Sequence, residues 1–186
     1  MKAWDLAITG PPGPMVIAAD ELAGYAHKDH ARLAENLRRQ ARAGFSFSYL
    51  RRDITEDAAP QVCQTWARWL KTEAALEFWR SLSGIPGLTH ADAQACLYRP
   101  GHFLKTHDDT YSGRRRRFAY VLNLGREWQP DWGGLLHLLE DQQVRATLVP
   151  HYNSLSVFQV PQDHCVSQVA SYARSGRYSI TGWLFE

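Results

Sequence analysis

The back half of this sequence is a succession of short strand-forming stretches with breakers between them. That pattern constrains the fold more than any other feature. Ala93–Tyr98, Phe118–Leu124, Leu135–Leu139, Thr147–Pro150, Ser154–Val160, His164–Tyr172 and Arg177–Phe185 are separated by Gly, Pro, Asp and Asn. So many short strands in so short a span predict a double sheet of jelly-roll type.

The front half reads differently. His27 to Ala43 is made of good helix formers, with Leu33 and Leu37 four apart, and predicts an amphipathic helix ending at Gly44. Phe45, Phe47 and Tyr49 alternate with serines as a short strand does. A second helix is expected from Pro60 to Leu82, with Val62, Trp66, Trp69 or Leu70 and Trp79 near one packing face, ended by Ser83–Gly87. Residues 1–26 show no clear element, and Gly10-Pro11-Pro12-Gly13-Pro14 is a breaker between two short apolar stretches. The expectation is an α+β chain, mainly β, forming one domain over 1–186. Residues 1–91 would be mostly helical support and 92–186 the core.

Composition removes several classes. Hydrophobic residues are 45% and charged residues 22% of the chain, a globular balance. No apolar run approaches the roughly 20 residues of a membrane span. Met1 to Asp20 lacks the apolar core of a secretory signal. Cys63, Cys96 and Cys165 have no CxxC spacing and read as free thiols, which points to a reducing compartment and the cytoplasm. The net charge of +2 does not imply a nucleic-acid partner. Two arginine clusters stand out: Arg32, Arg38, Arg39, Arg42, Arg51 and Arg52, read as a solvated face, and the run Arg114–Arg117.

The chemistry starts at His107-Asp108-Asp109. In an extended segment His107 and Asp109 point the same way and Asp108 points away. With His164, at the start of a later strand, they supply two imidazoles and one carboxylate, the facial set of non-haem Fe(II) oxygenases. HxD by itself is common, and a lone histidine is more often a hydrogen-bonded residue than a ligand. The sharper signal is Arg177 with Ser179, two apart on one strand face. A planar guanidinium beside a hydroxyl suits a carboxylate. Arg174 is the rival for this role; Arg177 is preferred because it opens the RxS strand that ends in Gly182-Trp183.

Taken in order, these motifs resemble the prolyl-4-hydroxylase branch of the 2-oxoglutarate/Fe(II) dioxygenases. The resemblance runs through Tyr98-Arg99-Pro100-Gly101, His107 to Asp109, Arg117 to Leu124, Asp131-Trp132-Gly133-Gly134-Leu135, His164, and Arg177 to Trp183. It implies a distorted double-stranded β-helix with supporting N-terminal helices. It also implies Fe(II) on His107, Asp109 and His164, with 2-oxoglutarate and O2 as cosubstrates and ascorbate in a supporting part. Arg177 would pair with the far carboxylate of 2-oxoglutarate, beside Ser179, and Tyr98 would hydrogen-bond the cosubstrate. A tyrosine usual in the family is replaced here by Asn123, whose amide can also donate. Gly133-Gly134 would form a tight turn where a Cβ clashes.

The implied reaction is hydroxylation with release of succinate and CO2. The expected substrate is a prolyl residue of a protein such as a ribosomal, elongation or regulatory factor. A free amino acid or other small molecule is the alternative. Thr110 to Arg117 follows the HxD as the mobile substrate loop of relatives does; its four arginines suit an acidic or phosphate-rich partner, with a merely solvated loop as the equal alternative. Nucleic-acid dealkylases of this fold carry a second arginine six residues after the first; here that position is Trp183, which counts against a nucleic-acid substrate. The intact ligand set counts against a catalytically silent binding module.

Overall fold

The computed structural model describes residues 4–10, 12–57, 60–110, 112–113 and 115–186. The back half forms two facing antiparallel layers. One contains β5 (Gln94–Tyr98), β7 (Arg116–Asn123), β10 (Ser154–Gln159) and β12 (Arg177–Phe185), in the order β10-β7-β12-β5. The other contains β6 (Phe103–His107), β8 (Leu136–Glu140), β9 (Gln143–Leu148) and β11 (His164–Val166), in the order β6-β11-β8-β9. This is the jelly-roll architecture expected from the strand pattern. Alternation decides what each strand contributes. On β7, Ala119 and Val121 enter the core between the layers, while Phe118 and Tyr120 face the other way.

The front half is less purely helical than its composition suggests. It supplies β1 (Asp5–Gly10), β2 (Gly13–Ile17) and β3 (Phe47–Asp53). β3 joins the two layers: Leu50–Asp53 pair with β5, and Phe47 and Ser48 pair with β6. β1 pairs with β3 on one edge and with β2 on the other, making a hairpin at the sheet margin. Their short apolar stretches lack the length that would mark them as strands in sequence; pairing to β3 makes them so.

The helices cover the outer face of the β5-β7-β12 layer. α2 (His27–Ala43) forms over the expected span and lays Leu33 and Leu37 against Leu6, Ile8, Leu50 and Leu97. The expected helix from Pro60 to Leu82 is two helices, α3 (Gln61–Leu70) and α4 (Glu73–Ser83). Thr72 causes the break: its hydroxyl accepts from Ala75 N at 3.2 Å and caps α4. Leu70 and Trp79 are buried as expected, but Val62 is 76% exposed, because α3 alone sets its orientation. Trp79 meets Tyr120 of β7 with ring centroids 4.9 Å apart, a contact worth about 0.5–1.5 kcal/mol beyond area burial.

Two further expectations shift. The strand begun at His164 ends at Val166, and the segment after it bonds to loops, Val169 N donating to His102 O. β9 lies earlier than Thr147–Pro150. The Gly133-Gly134 turn is as expected: both have positive φ, and a Cβ on Gly133 would sit 2.1 Å from Gln168 O. No helix of the described residues is long and apolar enough to cross a membrane. Cys63, Cys96 and Cys165 are free.

Candidate metal and cosubstrate site

The register of β6 and β11 brings the two histidines together, because His164 pairs directly with His107. Their ring centroids are 4.2 Å apart. Asp109 completes the group, with Oδ1 3.3 Å from His107 Nε2 and Oδ2 3.5 Å from His164 Nε2. One ligand atom from each of the three lies within 4.8 Å of the others. The route to this geometry differs from simple alternation. β6 ends at His107, and Asp109 turns back with φ 60. Asx conformations of this kind are tolerated by aspartate, so the carboxylate reaches the imidazoles from a turn and not from a strand.

Each histidine is oriented from behind. His107 Nδ1 donates to Lys105 O at 3.0 Å, and His164 Nδ1 donates to Gln162 O at 2.7 Å. A carbonyl only accepts, so Nδ1 carries a proton in each ring and Nε2 is the atom turned toward Asp109. Asp109 is held by Trp183, whose indole Nε1 donates to Oδ2 at 2.9 Å. Burial raises the Asp109 pKa, but the His107 hydrogen bond, the nearby imidazoles and Trp183 outweigh it and leave the carboxyl below its ordinary value. Burial, followed by His107, lowers the His164 pKa and favours its neutral, ligating form.

These groups line one end of a cavity of about 710 Å³, and Arg177 and Tyr98 line the same cavity. Arg177 is 2% exposed, and its Nε has no partner among the described residues. Burial pushes its pKa down from the ordinary arginine value, yet a guanidinium at this position stays charged. A buried cation without a carboxylate is costly, so the position suits an anionic guest. Its Cζ stands 5.2 Å from the Tyr98 ring centroid. Gly134 makes room for the stem: a Cβ there would meet Arg177 Cδ at 3.3 Å.

Ser179 and Asn123 are cross-strand neighbours next to Arg177, both buried. They share strand faces with Arg177, Thr181 and Val121 of the cavity lining but are not themselves among the lining residues. Asn123 Nδ2 donates to Ser154 Oγ at 3.2 Å, while Asn123 Oδ1 and Ser179 Oγ have no partner among the described residues. Arg174, the rival to Arg177, is exposed on a separate surface cavity with Arg126 and Tyr178.

Three features of the site escape a reading of residue spacing. The first is Trp183 on Asp109. The second is Arg116, which separates from its neighbours in the arginine run. Its Nη1 donates to Asp109 O at 3.1 Å and its Cζ lies 3.8 Å over the Trp183 ring. Arg115 and Arg117 instead pair with Glu186, and Arg114 lies outside the described residues. The run is therefore not a uniform basic loop: a register shift between β7 and β12, where Leu184 pairs with Phe118 but Phe185 with Arg116, reverses the alternation and sends Arg116 inward. In the early cluster, Arg51 likewise leaves the solvated face to line the cavity, paired with Asp53.

The third feature is an aromatic wall. Phe45, Phe47, Tyr49 and Tyr98 follow one another at centroid separations of 5.7, 5.7 and 5.1 Å, and Phe45 lies 5.6 Å from the His107 ring. The alternation of Phe45, Phe47 and Tyr49 was its only trace in sequence.

A family model described as the 2OG-Fe(II) oxygenase superfamily matches residues 93–185, half of the chain. The prolyl 3-hydroxylase OGFOD1 of Mus musculus is 36% identical over 116 residues, which cover 58% of this chain and 21% of that relative. The chain thus spans about a fifth of the length of this curated relative. A prolyl-4-hydroxylase from Pseudomonas putida superposes with a TM-score of 0.60 at 24% identity, over 83% of this chain and 84% of that one. An oxidoreductase of the 2OG-Fe(II) oxygenase family from Burkholderia pseudomallei gives 0.62 at 19% identity, over 91% and 80%. These two likenesses show a shared fold. With the match spanning the whole two-layered half, and with a His107–Asp109–His164 group that could hold a metal ion inside it, the chain belongs to the 2OG-Fe(II) oxygenase superfamily.

Proposed function

We propose that the chain, acting as one oxygenase domain over 1–186, hydroxylates a prolyl residue of a protein substrate in the cytoplasm. The carrying observation is the continuous cavity that holds the His107–Asp109–His164 cluster and the unpaired Arg177 cation and opens past an aromatic wall. The identity to a prolyl 3-hydroxylase supports the choice of substrate.

The residues fit the two groups the family uses. Two nitrogens and a carboxylate oxygen suit Fe(II), and the buried, unpaired guanidinium suits a dicarboxylate. In this reading His107, Asp109 and His164 hold the iron. Arg177 grips the far carboxylate of 2-oxoglutarate, and the Tyr98 hydroxyl hydrogen-bonds the same molecule. Burial holds the Tyr98 pKa up, so the phenol keeps its proton and can donate. Ser179 and Asn123, paired across β12 and β7 next to Arg177, complete the cosubstrate-binding set. Iron and 2-oxoglutarate, when bound, couple oxidative decarboxylation to hydroxylation of an unactivated C–H bond, releasing succinate and CO2. The chain's own part is positional. Trp183 and Arg116 fix Asp109, and Phe45, Phe47 and Tyr49 give an apolar wall against which a pyrrolidine ring can lie out of water.

Mass spectrometry of cell proteins with and without this chain tests the reading. The expected result is one oxygen gained on a prolyl residue of a protein only where the chain is present. Turnover on a free amino acid, with no prolyl residue modified, would overturn it.

A further inference from the structure

We propose that the tip of the β1–β2 hairpin is itself a hydroxylation site of this enzyme, with Pro14 the residue modified. The inference rests on the prolyl-hydroxylase reading of the cavity. Gly10-Pro11-Pro12-Gly13-Pro14 is the most proline-dense stretch of the chain, and the fold carries Pro14 of it to the cavity. Gly10 and Gly13 close the hairpin, and Pro14 pairs with Thr9. The Thr9 hydroxyl in turn accepts from Phe47 N at 3.1 Å, which ties the hairpin to the aromatic wall. Pro14 thereby lines the same cavity as Phe45, Phe47 and the three candidate metal ligands.

Pro14 is exposed, and so is Pro12. β2 pairs only with β1, so no third strand clamps the tip. Gly13 sits at φ +119 with open space where a Cβ would be, so it serves the turn and leaves the neighbouring ring unshielded. Phe47 and Phe45 line this cavity with Pro14, their rings 5.7 Å apart, and the Phe45 ring lies 5.6 Å from that of His107. An exposed prolyl ring in the same cavity as an aromatic wall and the metal ligands is the arrangement a prolyl substrate needs. The ring can come from the same chain or from a second copy; its chemistry is the same.

The step balances with the cosubstrates of the family. A ring C–H bond breaks and a C–OH bond forms. One atom of O2 enters the hydroxyl and the other enters succinate. The C1–C2 bond of 2-oxoglutarate breaks to release CO2. The C–H bond and the decarboxylation each supply two of the four electrons that reduce O2.

The test uses the full purified chain with Fe(II), 2-oxoglutarate and isotopically heavy O2. Fragmentation of the tryptic peptide spanning residues 3–28 locates the label and separates Pro14 from Met15. Heavy oxygen on Pro14 that requires 2-oxoglutarate is the expected result. A rate independent of dilution assigns it to the same chain, and a rate falling with dilution to a second copy. An unlabelled tip in a preparation that hydroxylates a foreign prolyl peptide overturns the proposal and leaves the prolyl reading standing. If only a non-prolyl substrate is oxidised, both fall. A second measurement needs no turnover: binding of a fluorescent peptide of the Gly10–Met15 sequence to the Zn(II)-loaded protein without oxygen. Saturable binding that Phe45→Ala weakens about tenfold is expected. No binding overturns the proposal even if the preparation turns nothing over.

Discussion

At one end of the cavity His107, Asp109 and His164 are engaged with one another and with Lys105, Gln162 and Trp183 behind them. At the other end Arg177 has no carboxylate partner among the described residues, and Ser179 Oγ and Asn123 Oδ1 beside it are unpaired. Both ends are buried and polar, yet they are built differently. The first is oriented by carbonyls and an indole, so its donor atoms already converge. The second keeps a charge whose effective burial penalty runs to several kcal/mol, a cost offset only when an anion arrives. One end is prepared by hydrogen bonds; the other is prepared by the want of one.

The largest test of that contrast is His164→Ala. It should abolish tight Fe(II) or Mn(II) binding and lower succinate release by more than about 100-fold, beyond the 10–100-fold typical of losing an outer partner. Calorimetric metal titration and a succinate assay read both. Metal affinity within tenfold of the unsubstituted chain would remove His164 from the site.

Arg177→Met should act at the other end and with the opposite sign on the resting fold. Loss of a buried charged partner costs about 2–5 kcal/mol of binding, roughly 30-fold or more in the 2-oxoglutarate KM. Metal affinity should stay nearly unchanged. The cosubstrate-free protein should melt at the same temperature or higher, because an unpaired buried charge is gone. A clear fall in Tm would mean that Arg177 holds the fold together instead of waiting for an anion.

Trp183→Phe keeps the ring under Arg116 and removes only the N–H to Asp109. Metal affinity should fall by roughly tenfold, with the 2-oxoglutarate requirement measured at saturating metal unchanged. Equal losses in both would show that the two ends are coupled through Trp183.

The smallest effect is on pH dependence. Burial holds the His102 pKa below the ordinary histidine value of 6.5. As pH falls through 6.5 the unfolded chain takes up a proton that folded His102 refuses, so stability drops over the window down to its lower folded pKa. Thermal melts of metal-free protein should fall from pH 7 to pH 5, and His102→Gln should flatten part of the slope. An identical slope in that variant would assign the acid sensitivity elsewhere, with buried His164 the next group to test.

Much of this site shows in local order. His107, Asp109, His164 and Arg177 stand out because their residue types and spacing answer to one chemistry, and all four line one cavity. The arginine run did not show its division, since Arg116 is chemically identical to its neighbours and differs only in which face of β7 it occupies. Trp183 could be placed on the Arg177 strand, but not against Asp109, which is 74 residues away.

The sequence by itself determined the two-layered class, the α2 span and the ligand types, because these follow from periodicity, propensity and functional-group chemistry along a few consecutive residues. Only the tertiary structure decided the rest. It recruited β1 to β3 into the sheet, and it turned Asp109 out of the strand and onto the histidines. It also set Pro14 beside the cavity. Each of those depends on strand pairing between distant segments, and pairing energy belongs to the register of two strands together, not to either stretch alone.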